Sequence, residues 1–279
     1  MIIDAHQHLW RIGQEGKKYG HEWPTTDLSE IYRDFGPDDL AAACDRLNID
    51  GTMLVQSQPS DADTDWMLEI AAATPLIRGV IGWTDLSAPD APQRIAALAR
   101  QPKLKGLRPM LQGLPQDDWI LHDEVRPGLE ATTAHGLTFD ALVYTRHLPF
   151  IDQLAQRYPD LRIVIDHGAK PPLGHSENMA QWQDAIAAVA QNTNVTCKLS
   201  GLLTELPDGQ NKDVLSPCAD HLLTAFGANR LMWGSDWPVV LLKDTYRRWF
   251  DWTTRWLADK PKTTRVMIMG ETARRFYQL

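Results

Sequence analysis

The chain has 279 residues, 43% hydrophobic and 23% charged, with a formal net charge of −8. That length and apolar content support a large core, and the negative balance argues against a nucleic-acid or anionic-membrane partner. No apolar run reaches the roughly 18 residues of a membrane span. The start, Met1-Ile2-Ile3-Asp4, carries no basic region or cleavage site. Cys44, Cys197 and Cys218 are scattered, form no disulfide framework and fit a reducing cytoplasm.

A strand is predicted over Ile2–His6, followed by a long irregular segment from Leu9 to Gly36 that is rich in Gly, Trp and Pro. Structureless loops of that length are uncommon in compact domains and often serve as lids or binding loops. Pro37-Asp38-Asp39 opens a helix to Asn48: proline suits a first turn, and the acids favour the positive end of the helix dipole. Strands then alternate with helices. The strands are Thr52–Ser57, Ile77–Trp83, Leu104–Arg108, Leu137–Val143, Leu161–Asp166, Val195–Leu199 and Arg230–Trp233. The helices between and after them are Asp61–Ala73, Pro89–Arg100, Arg126–His135, Leu148–Tyr158, Asn178–Asn192, Asp213–Phe226 and Asp244–Asp259, and a short helix, Glu271–Tyr277, closes the chain. The strands are short apolar runs, as expected when both faces are buried. Eight βα units predict a closed (β/α)₈ barrel in one domain over residues 1–279. No Gly-rich dinucleotide fingerprint follows strand one, which weakens an open doubly wound sheet.

Chemistry in such a barrel sits at the C-terminal strand ends. Strand one ends in Asp4-Ala5-His6-Gln7-His8, where period two puts both imidazoles on one face. They can chelate one ion or donate hydrogen bonds to one substrate oxygen. Strand eight ends in Gly234-Ser235-Asp236-Trp237-Pro238, which offers a carboxylate at the mouth. Strand six ends in Asp166-His167-Gly168-Ala169-Lys170, a third imidazole with a lysine beside it; Asp166 could orient a neighbour as a hydrogen-bond acceptor, though its alternate parity could turn it outward. Arg108 ends strand four and could clamp a substrate oxygen. Ser200 follows strand seven as a hydrogen-bonding candidate. Eleven tryptophans are many for this length, and those in loops, including Trp10 and Trp237, could stack on a sugar ring. No Gly-x-Ser-x-Gly elbow occurs, and Cys197 lies within a strand, so neither nucleophile is supported.

These strand ends resemble the amidohydrolase superfamily and, within it, the family 2 branch of L-fuconolactonase and L-rhamnonolactonase type sugar lactonases. The matching motifs are Asp4–Trp10, Val80–Leu86, Lys105–Arg108, Asp166–Pro172, Lys198–Gly201 and Gly234–Val239. The resemblance implies a distorted (β/α)₈ barrel, with His6, His8 and His167 lining the site and Asp236 as general base on water. Larger relatives bridge two metals with a strand-five lysine, but Leu137–Val143 contains none. At most one divalent ion is therefore expected, held by His6, His8 and Asp236. Zinc suits those ligand types, and the branch includes lactonases that need no metal. The expected substrate is a sugar lactone, bound by Arg108, Lys170, Ser200, Trp10 and Trp237. A pyrone dicarboxylate lactonase, a metal-dependent decarboxylase and a non-catalytic sugar-acid binder are the alternatives.

Overall fold

The computed structural model describes residues 1–174 and 176–279. Eight strands form one sheet: β1 Ile3–Gln7, β2 Gly51–Val55, β3 Ile77–Gly82, β4 Leu104–Leu107, β5 Thr138–Ala141, β6 Ile163–Ile165, β7 Val195–Leu199 and β8 Leu231–Trp233. Their spatial order is their chain order, and every neighbouring pair is parallel. Helices α1 Gly13–Lys17 and α2 Pro37–Ala43 follow β1. One helix follows each of the next six strands: α3 Asp61–Ala73, α4 Ala91–Leu98, α5 Arg126–Ala134, α6 Leu148–Arg157, α7 Ser176–Val189 and α8 Leu215–Phe226. After β8 come α9 Tyr246–Trp256, α10 Lys262–Val266 and α11 Thr272–Tyr277.

The expected barrel is present, and its last seam lies where chemistry is expected. Gln7 bridges Trp237 in parallel, Asp236 N–H donates to His6 O at 2.8 Å, and His8 N–H donates to Trp237 O at 2.7 Å. The end of strand one is thereby stitched to the turn after strand eight at the C-terminal mouth. Ile3, Ala5, Met53, Val55, Ile81, Val164 and Met232 form an inner apolar cluster, to which Ala273 and Tyr277 of α11 add. The larger core packs the outer face of the sheet against the helices.

Element boundaries follow local chemistry. Ser60 Oγ caps α3 by accepting from Asp63 N–H, and Thr245 Oγ1 caps α9 by accepting from Arg248 N–H. The helix opened by Pro37 stops at Ala43 and does not reach Asn48: Arg46 and Asn48 hold left-handed φ values of 61° and 53°, incompatible with a continuing right-handed helix. No helix among the described residues is long and apolar enough to cross a membrane.

Candidate active site

Four side chains from three strand ends meet at one point. His6 Nε2 lies 3.1 Å from His8 Nε2. Asp236 Oδ1 lies 3.4 Å from His8 Nε2, 3.7 Å from His6 Nε2 and 3.9 Å from His167 Nε2. All four residues are buried. Each imidazole is held from behind by its Nδ1. That of His8 donates to Val55 O at 2.8 Å, that of His167 pairs with Ser200 Oγ at 2.8 Å, and that of His6 faces Lys198 Nζ at 3.2 Å and Asp166 Oδ1 at 3.4 Å. Partners behind the ring fix orientation and leave Nε2 for the site.

The backbone is bent to reach this geometry. His167, Ala169 and Lys170 form a left-handed turn around Gly168, with φ of 54°, 59° and 52°, and Asp236 has φ 57°. Each non-glycine residue there costs roughly 1–2 kcal/mol. Beneath the seam, buried Asp4 accepts from Ser235 N–H at 2.8 Å, from His6 N–H at 3.1 Å and from Tyr246 O–H at 3.0 Å. One carboxylate thus clamps both backbones that carry His6 and Asp236.

Burial sets the charge states. It pushes the His167 imidazole down to about 4, against the pull of Asp236 and Asp166, and holds His6 well below its usual value. Burial would raise Asp236, but His167, His8 and His6 outweigh it and hold the carboxyl far below the ordinary range. Near neutral pH the site presents an ionised Asp236 and unprotonated His6 and His167. The acid limb of kcat/KM set by His167 is therefore expected near pH 4 and not near 6.5, and a bound cation pushes in the same direction; His167 protonating near 6.5 in a pH titration of the folded protein would contradict this. Stability divides. His167 resists protonation until about 4 when folded and titrates at 6.5 when unfolded, so its contribution is present above 6.5 and lost as pH falls toward 4. Asp4 is raised by burial from 3.8 to about 6, so its contribution is present below 3.8 and lost as pH rises through 6.

Under the cluster lies a charged layer. Lys198, fully buried, places Nζ 2.6 Å from Asp140 Oδ2 and 2.9 Å from Asp166 Oδ1. Tyr277 O–H donates to Asp140 Oδ2 at 2.9 Å. Asp166 turns inward on the alternation of β6, on the same side as Val164, and the left-handed turn that begins at His167 brings the next side chain to the mouth as well. Sequence reasoning missed Lys198 and Asp140; the available signal was a charge inside each of two otherwise apolar strands. Arg108 belongs partly to this layer: one terminal nitrogen donates to Asp166 Oδ2 at 3.1 Å and the other to Gln56 O. Its Nε is buried without a partner, and the residue lines the cavity. Arg108→Met should cost about 3 kcal/mol in urea unfolding, since breaking a buried pair costs roughly 3–5 kcal/mol and Lys198 still screens Asp166. An unchanged midpoint would mean that the pair contributes nothing.

The cluster opens into a cavity of about 490 Å³ lined by His8, His167 and Asp236 together with Trp23, Gln58 and Lys170 among others. The long loop after β1 forms its roof. Gln58 accepts from the backbone N–H groups of Glu22 and Trp23 at 3.2 and 3.3 Å and donates to Trp23 O at 2.6 Å. Three residues expected to touch substrate lie elsewhere. Trp10 is fully buried, with its indole N–H on Arg33 O at 2.9 Å, and Trp237 is 4% exposed with its ring against Phe35. Both form an aromatic layer under Trp23, whose ring centroid is 5.1 Å from that of Trp10. Ser200 is buried behind His167 and is occupied by it.

His6, His167 and Asp236 bring three ligand atoms within 4.8 Å of one another, and His8 stands beside them. Two nitrogens bound tetrahedrally to one zinc are about 3.4 Å apart, so the spacings fit a single ion. Asp166 Oδ1, 2.9 Å from Lys198 Nζ and 3.4 Å from His6 Nδ1, is placed to accept from His6 Nδ1 when Nε2 serves as a ligand.

A parallel α/β barrel with an imidazole–carboxylate cluster at its C-terminal mouth is an amidohydrolase architecture. The family model described as Amidohydrolase matches residues 3–279, and the chain belongs to that family. An L-fucono-1,5-lactonase of Burkholderia ambifaria is 45% identical over 99% of this chain and 95% of its own length. An L-fucono-1,5-lactonase of Burkholderia multivorans is 32% identical over 99% and 96% respectively. A crystal structure of an amidohydrolase from Burkholderia multivorans with zinc bound superposes with a TM-score of 0.93 at 32% identity, covering 100% of this chain and 99% of that one.

Proposed function

We propose that the chain opens a sugar-acid lactone to the free acid, with Asp236 activating the attacking water. The observation that carries this reading is the convergence of His6, His8 and His167 on the carboxylate of Asp236 at the floor of the cavity. Ring opening needs a nucleophilic water, a polarised carbonyl and a proton for the departing alkoxide. Asp236 takes a proton from water as the new C–O bond forms, when that water has become acidic enough for so weak a base. The Nε2–H groups of His6 and His167, facing the carbonyl oxygen, stabilise the negative charge that develops on it. The tetrahedral centre then collapses, the ring C–O bond breaks, and protonated Asp236 returns its proton to the leaving oxygen. A divalent ion, zinc by ligand type, would be held by His6, His167 and Asp236 with His8 alongside, and would polarise the carbonyl and acidify water.

Two features favour a neutral sugar over a dicarboxylate. Dicarboxylate recognition needs several free cations. Arg108 is engaged by Asp166, Lys170 faces Glu205 at 3.8 Å, and Arg146 is held by Asp117 at 2.9 Å. Trp23 offers an apolar face to a sugar ring. The reading extends to sugar-acid catabolism in the cytoplasm, which the three free, buried cysteines support.

A panel of aldonolactones assayed by proton release tests the proposal, with a pyrone dicarboxylate and a benzoate decarboxylation substrate alongside. Turnover is expected on a 1,5-lactone of the L-fucono or L-rhamnono type. Decarboxylation that chelator abolishes, with no lactone turned over, would transfer the chain to the metal-dependent decarboxylases.

A further inference from the structure

The buried lysine behind His6 has no role in the mechanism above, yet it touches a proposed metal ligand. An ammonium has three N–H donors and no acceptor. Lys198 Nζ finds Asp140 Oδ2 at 2.6 Å, Asp166 Oδ1 at 2.9 Å and His6 Nδ1 at 3.2 Å. While Lys198 donates to His6 Nδ1, that nitrogen carries no proton, so the His6 proton sits on Nε2 and points into the site. The next contact agrees. His8 Nδ1 must donate to Val55 O, because a carbonyl only accepts; His8 Nε2 is then free to accept from His6 Nε2–H across 3.1 Å. Lys198, His6, His8 and Val55 O thus form one chain of hydrogen bonds, all donating in the same direction.

A cation site needs the opposite arrangement. For His6 Nε2 to bind an ion, its proton must move to Nδ1, where the ammonium faces it. Asp166 Oδ1 is the alternative partner: it lies 3.4 Å from His6 Nδ1, and its contact with the Lys198 ammonium leaves it a further lone pair to accept with. Two groups therefore compete for one ring nitrogen, the ammonium favouring a hydrogen-bond donor at the site and the carboxylate favouring a ligand. Charge works in the same sense. The buried layer already contains the cation that a metal would otherwise supply among Asp140, Asp166 and Asp236.

We propose that Lys198 decides whether His6 acts as a hydrogen-bond donor or as a metal ligand, and that it weakens divalent-ion binding at the His6, His167, Asp236 cluster. Lys198 is a positioning residue acting through His6. The zinc part rests on reading that cluster as a cation site; the tautomer part does not.

The test measures two quantities on purified protein stripped of metal. The first is the tautomer of His6, from nitrogen shifts of ¹⁵N-histidine-labelled protein with the His6 signals assigned by a His6→Asn variant. The second is the zinc Kd, by competition with a chromogenic chelator. Wild type should show His6 protonated at Nε2. Lys198→Met should move that proton to Nδ1 and tighten zinc at least tenfold, whereas Lys198→Arg should stay within threefold of wild type. Lys198→Met leaves two buried carboxylates with less compensation and could fail to fold. The double variant Lys198→Gln, Asp140→Asn removes one buried cation and one anion, so the net charge of the layer is unchanged. It should still tighten zinc severalfold, because the lost cation touches His6 directly. An unchanged tautomer, or measurable zinc binding that is no tighter in a folded variant without Lys198 than in wild type, overturns the proposal. A tautomer that moves while no variant binds zinc would sustain the control of His6 and remove the cation-site reading with its zinc clause.

Discussion

Asp236→Asn should lower kcat on the best lactone by at least a hundredfold while leaving the fold intact. The substitution is nearly isosteric, and asparagine tolerates the left-handed φ of 57° at this position about as well as aspartate. It therefore separates the loss of a base from backbone strain, which Asp236→Ala would not. Loss of a general base is typically worth about 10²–10⁴ in rate. The variant also removes the only carboxylate in contact with the three imidazoles' Nε2 atoms among the described residues. Retention of more than about a tenth of wild-type kcat would place the base elsewhere.

Gly201→Ala is expected to have the second largest effect, although the residue touches no substrate. Gly201 has φ +62°, and a Cβ there would come within 2.6 Å of His167 Cγ. The methyl must push the imidazole off Ser200, and a misplacement of about 1 Å at a reacting centre can cost roughly 10²-fold. The left-handed backbone adds roughly 1–2 kcal/mol of strain in any residue other than glycine. A kcat loss of about ten- to a hundredfold with a urea midpoint shift of that size is the expected pair of results. Full activity in a destabilised protein would mean that the position of His167 does not limit the reaction.

The barrel was legible because its signal is redundant. Eight apolar runs, each too short for a helix and each followed by a helical stretch, leave little choice of architecture. His6 and His8 were legible from period two, and Asp236 from a strand cut off by Gly234 and Pro238. What lay hidden depended on contacts between distant strands. Asp166 and His167 are neighbours and cannot both face inward on simple alternation; Asp166 keeps the inward parity of Val164, and the left-handed turn at His167 brings the imidazole in beside it. Lys198 looks like a solvated charge until Asp140 and Asp166, from the two strands before it, are seen to enclose it. The tryptophans misled for a related reason. Trp10 and Trp237 lie close to site residues in sequence, but the loop after β1 folds over them and puts Trp23 at the cavity instead. Ser200 had the right neighbourhood and a different task, since its hydroxyl is taken by His167.

The most direct test of water activation by Asp236 is a single turnover in H₂¹⁸O with enzyme in excess over lactone. If Asp236 acts as a base, the first product carries one ¹⁸O in its carboxylate, and the peptide containing Asp236 shows no mass shift. If Asp236 instead attacks the carbonyl itself and water then opens the resulting anhydride at the aspartyl carbon, ¹⁸O appears in the Asp236 carboxylate and the first product carries none. Label in that peptide, or in a product hydroxyl instead of its carboxylate, would contradict the mechanism.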